Sequence, residues 1–475
     1  MRTIAALAGL AVGYALAGQR RRREGRRAVL SKTVGPHLAA AIHRRKVQQV
    51  ARQLREHKSG RPISLRKRAV AHQVPKAGDL RRRDEKVDIS DLNAILHVDP
   101  LKQVCVAEPG VTFVDLVAAT LRYGLVPLVV PELKTITIGG AVSGCSIESM
   151  SYKVGGFHDT CVEYEVIDAK GRVITCGPDD LLFQMIHGSF GTLGILSKLT
   201  FRLTPAKRFV RVKYEHYRTL EEYRAAIVDH YQRQDVDFMD GIIHSPRHYV
   251  LSVADFVDEA PYANRYDWVK VYYQSTARRA EDYLETPDYF FRYDRGVTNV
   301  HPKSAIGRLL LAKFLGSSQA LRAAEKLNWL LKKEQPTIIL DVFLPISKMP
   351  EFLEWYGREF RHFPLWCVPY RRPRDYEWVA PDVFSRSPDA LWVDLAIYGM
   401  KQRGDRNYHK LMEQKLRELG GIKTLISHNY YTPDEFWQTW NRENYFEVKA
   451  LTDPDNVFRD LYTKTCKAAM GVGSA

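Results

Sequence analysis

The run from Pro131 to Gly155, PELKTITIGGAVSGCSIESMSYKVG, sets Gly139, Gly140, Gly144 and Gly155 among β-type apolar residues, serines and one acid, Glu148. A residue without Cβ lets the chain turn tightly and lets a ligand approach the backbone closely. A second group, HGSFGTLGIL from His187 to Leu196, spaces Gly188, Gly191 and Gly194 three apart. That spacing matches a dinucleotide fingerprint only superficially. The fingerprint reads G-x-G-x-x-G between a strand and a helix, whereas this group leads into the strand-like ILSKLTFRL. Two glycine-rich loops bordering strands can instead aim successive backbone N–H groups at a pyrophosphate. A phosphate-bearing ligand is the expectation, and a cluster of turns that only turns is the alternative.

The elements that must hold these loops read as α+β. PISLRKRAVA, QVCVAEPG, GLVPLVVPEL, TCVEYEVIDAKGRVITC and GILSKLTFRLTP are strands by alternation, β-branching and Gly/Pro borders. Thr112 to Gly124 is an amphipathic helix with Thr112 as N-cap and Gly124 just past its end, and DAKGR at 168–172 is a hairpin turn. No βαβαβ rhythm is present. After Pro205 the chain turns aromatic, in VKVYYQS, DYFFRYDRG, PLWCVPYRRP and LWVDLAIYG, with helices such as Tyr408 to Leu419. The stretches around Pro261 and from Arg371 to Pro388 read as surface loops. The expected division is an anchor at 1–30, a basic amphipathic helix and linker at 31–58, a ligand-binding domain at 59–206, and a substrate-covering domain at 207–475. The last segment of that second domain is expected to return to the first.

Charge is distributed unevenly. Residues 1–83 carry 22 Lys and Arg against 3 Asp and Glu, a net +19, leaving 49 against 52, a net −3, for the rest. Nucleic-acid binding by the main body is therefore not expected. From Thr3 to Gln19 the chain has 17 uncharged residues, followed directly by Arg20 to Arg23. This is the short limit for a spanning helix, and the charge beyond it favours a single N-terminal anchor with the bulk of the protein cytoplasmic. The basic helix His37 to His57 either lies on an anionic membrane surface or packs on the domain. Cys105, Cys145, Cys161, Cys176, Cys367 and Cys466 form no C-x-x-C pair, and no His cluster has metal spacing. Buried reduced thiols and no metal are expected.

TIGGAVSGCSIES at 137–149 together with GSFGTLGIL at 188–196 resembles the FAD-binding half of the vanillyl-alcohol-oxidase, or PCMH-type, flavoproteins. The longer run from Val129 to Cys176, with LWVDLAIYG, YTPDEFW and LYTKTCKAA, is similar to the Δ24-sterol reductases, also called seladin or Diminuto proteins, over about Val47 to Ala469. By that resemblance Thr137, Ile138, Gly139, Gly140, Gly144, Ile147, Glu148 and Ser149 match the flavin-contacting motif, and Gly155 closes the loop. Gly188, Gly191, Thr192, Gly194 and Ile195 match its partner. Relatives that attach flavin covalently carry a GGGH loop, where this chain reads SLRKRAVAH at 64–72. Non-covalent FAD is implied, with Arg66, Lys67 or Arg68 either offsetting phosphate charge or standing as ordinary surface cations.

The resemblance implies an FAD-dependent reductase, with NADPH as electron donor, acting on an isolated C=C bond in a lipid. That lipid is a sterol, or a methylene-branched fatty acyl chain reduced to a methyl-branched one. An isolated alkene has no carbonyl to polarise it, so an acid must protonate one carbon as hydride reaches the other, away from water. The titratable groups among the C-terminal aromatics are the candidates: Tyr289, Tyr293, Asp294 and Arg295, then Asp394 and Tyr398, then Tyr430 or Tyr431. Each is equally open to a core or rim role. Glu148 either caps backbone N–H groups or faces substrate. The alternatives are a flavin oxidase or dehydrogenase of an alcohol or hydroxy acid, which needs a base and a polar site, and an idle membrane-binding protein.

Overall fold

The computed structural model describes residues 29–68, 78–266, 270–294, 296 and 338–472. The basic segment ahead of the first strand forms α1 (Pro36–Arg55), with Pro36 at its first position. Its apolar stripe, Val47, Val50, Ala51 and Leu54, is buried with Ile63, Val87, Ile167 and Ile195. His43 fixes the docking, with its two ring nitrogens each 2.9 Å from a carboxylate, Glu108 on one side and Glu165 on the other. Of the two roles expected for this helix, protein packing is the one observed, since the stripe that would enter a membrane already covers the strands beneath it. Residues 1–28, nearly all of the expected anchor, lie outside the described residues. Among the described residues no helix is long and apolar enough to cross a membrane.

A parallel pair, β1 (Ile63–Arg66) and β2 (Glu85–Asp88), follows. Next come β3 (Ile95–Asp99), β4 (Val104–Ala107), α2 (Phe113–Thr120), β5 (Leu125–Pro127), α3 (Ile138–Ser143), β6 (Cys161–Ile167), β7 (Val173–Cys176) and β8 (Ile195–Pro205). They form a six-stranded sheet ordered β3-β4-β8-β6-β7, with β5 on β8. Thr112 caps α2 by accepting from the Asp115 N–H, and Gly124 takes a left-handed φ of +68°. The β-like TIGGAVS run is instead the short helix α3, because Thr137 caps it by accepting from the Gly140 N–H.

The remainder builds β9 (Phe209–Tyr217), α4 (Leu220–Arg233), β10 (Phe238–Ser245), β11 (His248–Val257), β12 (Glu281–Glu285), α5 (Thr286–Phe290), β13 (Ile338–Pro345), α6 (Met349–Glu359), β14 (Leu365–Arg371), β15 (Leu391–Met400), α7 (Tyr408–Leu419), β16 (Ile422–Lys423) and α8 (Arg442–Thr452). Eight strands form one antiparallel sheet in the order β12-β9-β11-β10-β14-β15-β13-β16. Strand alternation divides it into two faces. Met239, Ile243, Leu251, Val342, Leu365 and Leu395 pack under α4, α6 and α7. Phe238, Ile242, Trp366, Val368 and Ala396 instead share a core with the first sheet's body. The C-terminal segment crosses back: Lys449 Nζ donates to the Thr192 carbonyl, and Ile63 N–H to that of Val457. The fold is α+β, with a glycine-loop domain covered by the face of an aromatic-rich sheet.

Candidate active site

The glycines of the two loops divide by what a Cβ would meet. At Gly139 it would strike Pro109 at 2.5 Å, at Gly155 the Asp159 carboxylate at 2.4 Å, and at Gly194 Val166 at 2.7 Å, so these three serve close internal packing. At Gly140 and Gly144 a Cβ would stand 3.1 Å from the Thr137 hydroxyl and the Gly140 carbonyl, while Gly188 and Gly191 are open. Gly188, with φ +66°, faces only Cys145 and Trp378 at 3.6 Å, and Gly191, with φ +70°, only Leu65 at 3.8 Å and the Gly194 carbonyl at 4.0 Å. Several N–H groups expected to face a pyrophosphate are spent within the protein: Gly139 donates to Pro109, Gly188 to Val142, Phe190 to Ser143 and Thr192 to Ser189. The loops contribute smallness more than donors. Thr192 is tied to the C-terminal segment through a 2.9 Å bond from the Tyr445 hydroxyl, and Ile195 opens β8.

Ile138 and Ser149 are buried, and so is Glu148. The Glu148 carboxylate accepts from the backbone N–H and hydroxyl of Ser149, and its second oxygen lies 3.1 Å from Arg292. The same guanidinium is 3.1 Å from Asp240 on β10. Tyr293 and Trp366 both donate to Asp240, at 2.8 and 2.9 Å, while Tyr289 donates to Ser149 at 3.3 Å and lies 4.2 Å beneath the Arg292 cation. Two enclosed carboxylates thus share one guanidinium. Burial pushes the Glu148 carboxyl up despite the Arg292 charge, with Asp240 adding to the shift. This cluster joins the first glycine loop to the C-terminal sheet.

A second group of acids adjoins it. Asp394 is 4% exposed and its Oδ1 has no hydrogen-bond partner. It stands across from Phe343 in the β13–β15 register and two residues from Trp392 on the same face. Asp341 accepts from Tyr398 at 2.7 Å. Burial lifts the Asp394 carboxyl well above its ordinary range, Asp341 to about 6, and Glu132, just before the first loop, to about 8. Mutual repulsion adds to the shifts of Asp394 and Glu132. The arrangement therefore favours the neutral carboxyl form more than solvent does.

Between the loops and the sheet lies a cleft, open to solvent on one side. Gly144, Cys145, Ile147, Gly188 and Phe190 form its floor, and Phe343, Tyr370, Trp392 and Ile422 its roof. Tyr376, Trp378 and Phe384 close one side. The stretch Arg371–Pro388 is thus a cleft wall and not the expected surface loop, because its aromatics are buried against Trp392 and Tyr370.

Of the acid candidates, the structure brings Tyr289, Tyr293, Asp394 and Tyr398 to the inner face. Asp294 lies beside Lys134, with its Oδ1 accepting from the Lys134 N–H at 3.3 Å. Tyr430 is 36% exposed and stands by Glu413 of α7, away from the glycine loops, and Tyr431 packs on Phe436 and Trp440. Arg295 lies outside the described residues. Sequence reasoning missed Arg292, Asp240, Glu132 and Asp341. For Asp240 and Asp341 the signal was an acid at an inward position of an otherwise apolar strand, as in FMDGIIH and IILDVFL.

A family profile described as FAD binding domain matches residues 38–177. Residues 38–177 are an FAD binding domain. Over 467 residues the chain is 27% identical to the Delta(24)-sterol reductase of Homo sapiens, spanning 91% of this chain and 88% of the relative. The Delta(24)-sterol reductase of Arabidopsis thaliana is 24% identical over 485 residues, 90% of this chain and 85% of the relative. Cytokinin dehydrogenase 5 of Arabidopsis thaliana is 26% identical over 139 residues, 28% of this chain. The residues of the FAD binding domain fit the cofactor its description names. Gly188 and Gly191 leave backbone open where a flat ring system must lie close, and the aromatic roof is suited to cover it.

Proposed function

We propose that this FAD-dependent oxidoreductase reduces an isolated C=C bond in a lipid, with a buried carboxylic acid as proton donor. The observation that carries the reading is Asp394, an enclosed carboxyl with a free oxygen beside two aromatic side chains that roof the cleft, whose burial favours the protonated form. An alcohol-oxidising flavoenzyme needs an ionised base at that place, whereas alkene reduction needs an acid. When bound, FAD supplies the hydride chemistry. Phe343, Tyr370, Trp392 and Trp378 exclude water from the alkene carbons. The Asp394 carboxyl gives its proton to one alkene carbon, and Asp341 and Glu132 can replace it because their own carboxyls are kept partly protonated.

The names of the relatives direct the substrate assignment to a sterol side chain at Δ24, and the methyl-branched acyl product remains the second substrate to assay. NADPH is the proposed donor, non-covalent attachment the proposed state of FAD, and an N-terminal anchor within residues 1–30 the proposed route to an anionic membrane surface. The experiment is reduction of candidate lipids in deuterated water with NADPH. The reading requires one solvent deuterium at a former alkene carbon, and its disappearance in Asp394→Asn. Turnover of an alcohol or hydroxy acid with no label in any lipid would replace the reading with the oxidase one.

A further inference from the structure

Five cations converge behind the second glycine loop, and three of them are matched by acids. Arg81 is paired with Asp79 at 2.8 Å, Arg459 with Asp84 at 2.7 Å, and Lys449 with Asp453 at 2.6 Å. Lys464, near the C-terminus, donates instead to the Phe190 carbonyl at 2.7 Å. A carbonyl takes one ammonium proton without neutralising the charge. Lys67 has no carboxylate within ion-pair distance among the described residues, while its neighbours Arg66 and Arg68 are paired with Asp88 and Asp91 at 2.6 and 2.7 Å. Of the three basic residues that the sequence offered for phosphate, only Lys67 is therefore uncommitted.

The two lysines are neighbours at the second glycine loop. Lys67 follows β1, and the β1 residue Leu65 lies 3.8 Å from the place a Cβ on Gly191 would take. Phe190, whose carbonyl Lys464 holds, precedes Gly191 and lines the cleft. Lys67 is exposed to solvent. Burial pushes the Lys464 amine down to about 7, with Arg81, Lys449 and Lys67 opposing its charge and Asp84 favouring it. An ammonium group stripped of water and crowded by like charge is costly, and an anion beside it recovers that cost.

We propose that Lys464 and Lys67 clamp the diphosphate of bound FAD at the open backbone of Gly191, making the C-terminal segment part of the cofactor site. Two compact point charges suit a diphosphate, which carries acceptor oxygens in several directions. The expected nest of backbone donors is mostly spent, so side chains must supply the counter-charge. The clamp rests on the FAD binding assignment of residues 38–177.

The test compares FAD with riboflavin, which has the same ring system and no phosphate, on the full chain stripped of flavin and followed by flavin fluorescence. Lys464→Met and Lys67→Met should each weaken FAD by roughly 10- to 100-fold and leave riboflavin unchanged. Lys464→Arg should restore most of the loss. Wild-type affinity for FAD should fall as pH rises from about 7 to 9, because the free amine loses the proton that the bound diphosphate requires. That slope should flatten in Lys464→Met. Equal losses for both ligands, or unchanged FAD affinity in both Met variants, overturn the clamp. Failure of the wild-type chain to bind either flavin overturns the FAD reading itself. Lys67→Met, at a solvent-accessible position, keeps the test sound should Lys464→Met fail to fold.

Discussion

The eight-stranded sheet presents two faces made by alternate residues of the same strands. Under α4, α6 and α7 the face is aliphatic and aromatic, with Met239, Val342, Leu365 and Leu395 closing a dry core. One residue along each strand, the opposite face carries Asp240, Asp341 and Asp394, all nearly inaccessible to solvent. Strand formation is served equally by either set. An acid placed where water cannot reach costs several kcal/mol unless it is paired or protonated. Asp240 is paired with Arg292, and burial shifts Asp394 toward its neutral form. The helix-covered face provides stability, and the cleft face gives some of it up for chemistry.

The largest effect should come from moving a charge across the sheet. Leu395→Asp, one residue from Asp394 but in the dry core, should cost about 5 kcal/mol or prevent folding, read by denaturant unfolding. Tolerance of that acid would erase the distinction between the faces. Next, Arg292→Met leaves Glu148 and Asp240 without their shared cation and should cost about 3–4 kcal/mol. Its flavin retention should fall as well, since Glu148 lies in the first glycine loop.

Asp394→Asn should slow lipid reduction by roughly 10²-fold, equivalent to about 2.7 kcal/mol in the barrier, with flavin binding intact. Asp394→Leu should lose the same activity and unfold at equal or higher temperature, because it removes a buried polar atom without a partner. A large loss of stability there would make Asp394 a structural residue.

Glu132, with a folded pKa of about 8 above its unfolded value, stabilises the fold at low pH and loses that contribution as pH rises from about 5 toward 8. Unfolding free energies at the two ends of this range should differ less in Glu132→Gln than in the wild type. The smallest effect belongs to the N-terminal helix. Burial disfavours the charged His43 ring, but hydrogen bonds to Glu108 and Glu165 outweigh it and raise the pKa. His43→Gln should therefore cost about 1–2 kcal/mol below pH 6, and less as pH rises through the folded pKa.

Local rules carried much of the glycine-loop domain. Thr112 and Gly124 bound their helix because a cap and a left-handed stop act within a few residues, and DAKGR turns between β6 and β7 for the same reason. Tyr408 to Leu419 appears as the expected helix α7. The TIGG run was harder to read, since one threonine cap decided helix over strand. Arg371–Pro388 looked like a loop because its aromatics follow no period, and their burial comes from what they meet across the cleft.

The sequence by itself determined the two glycine loops, the strands around them, the likeness to FAD-binding flavoproteins and the confinement of net positive charge to the first 83 residues. Each of these is a property of neighbours along the chain. Tertiary structure alone decided that Glu148, Asp240 and Arg292 meet, that Asp394 stands with Asp341 near Glu132, and that Lys464 reaches the loop at Gly191. Glu148 and Arg292 are separated by 144 positions, and Phe190 and Lys464 by 274. No local preference spans such intervals. Their chemistry exists only where strand order and the returning C-terminal segment bring the groups into one water-poor space.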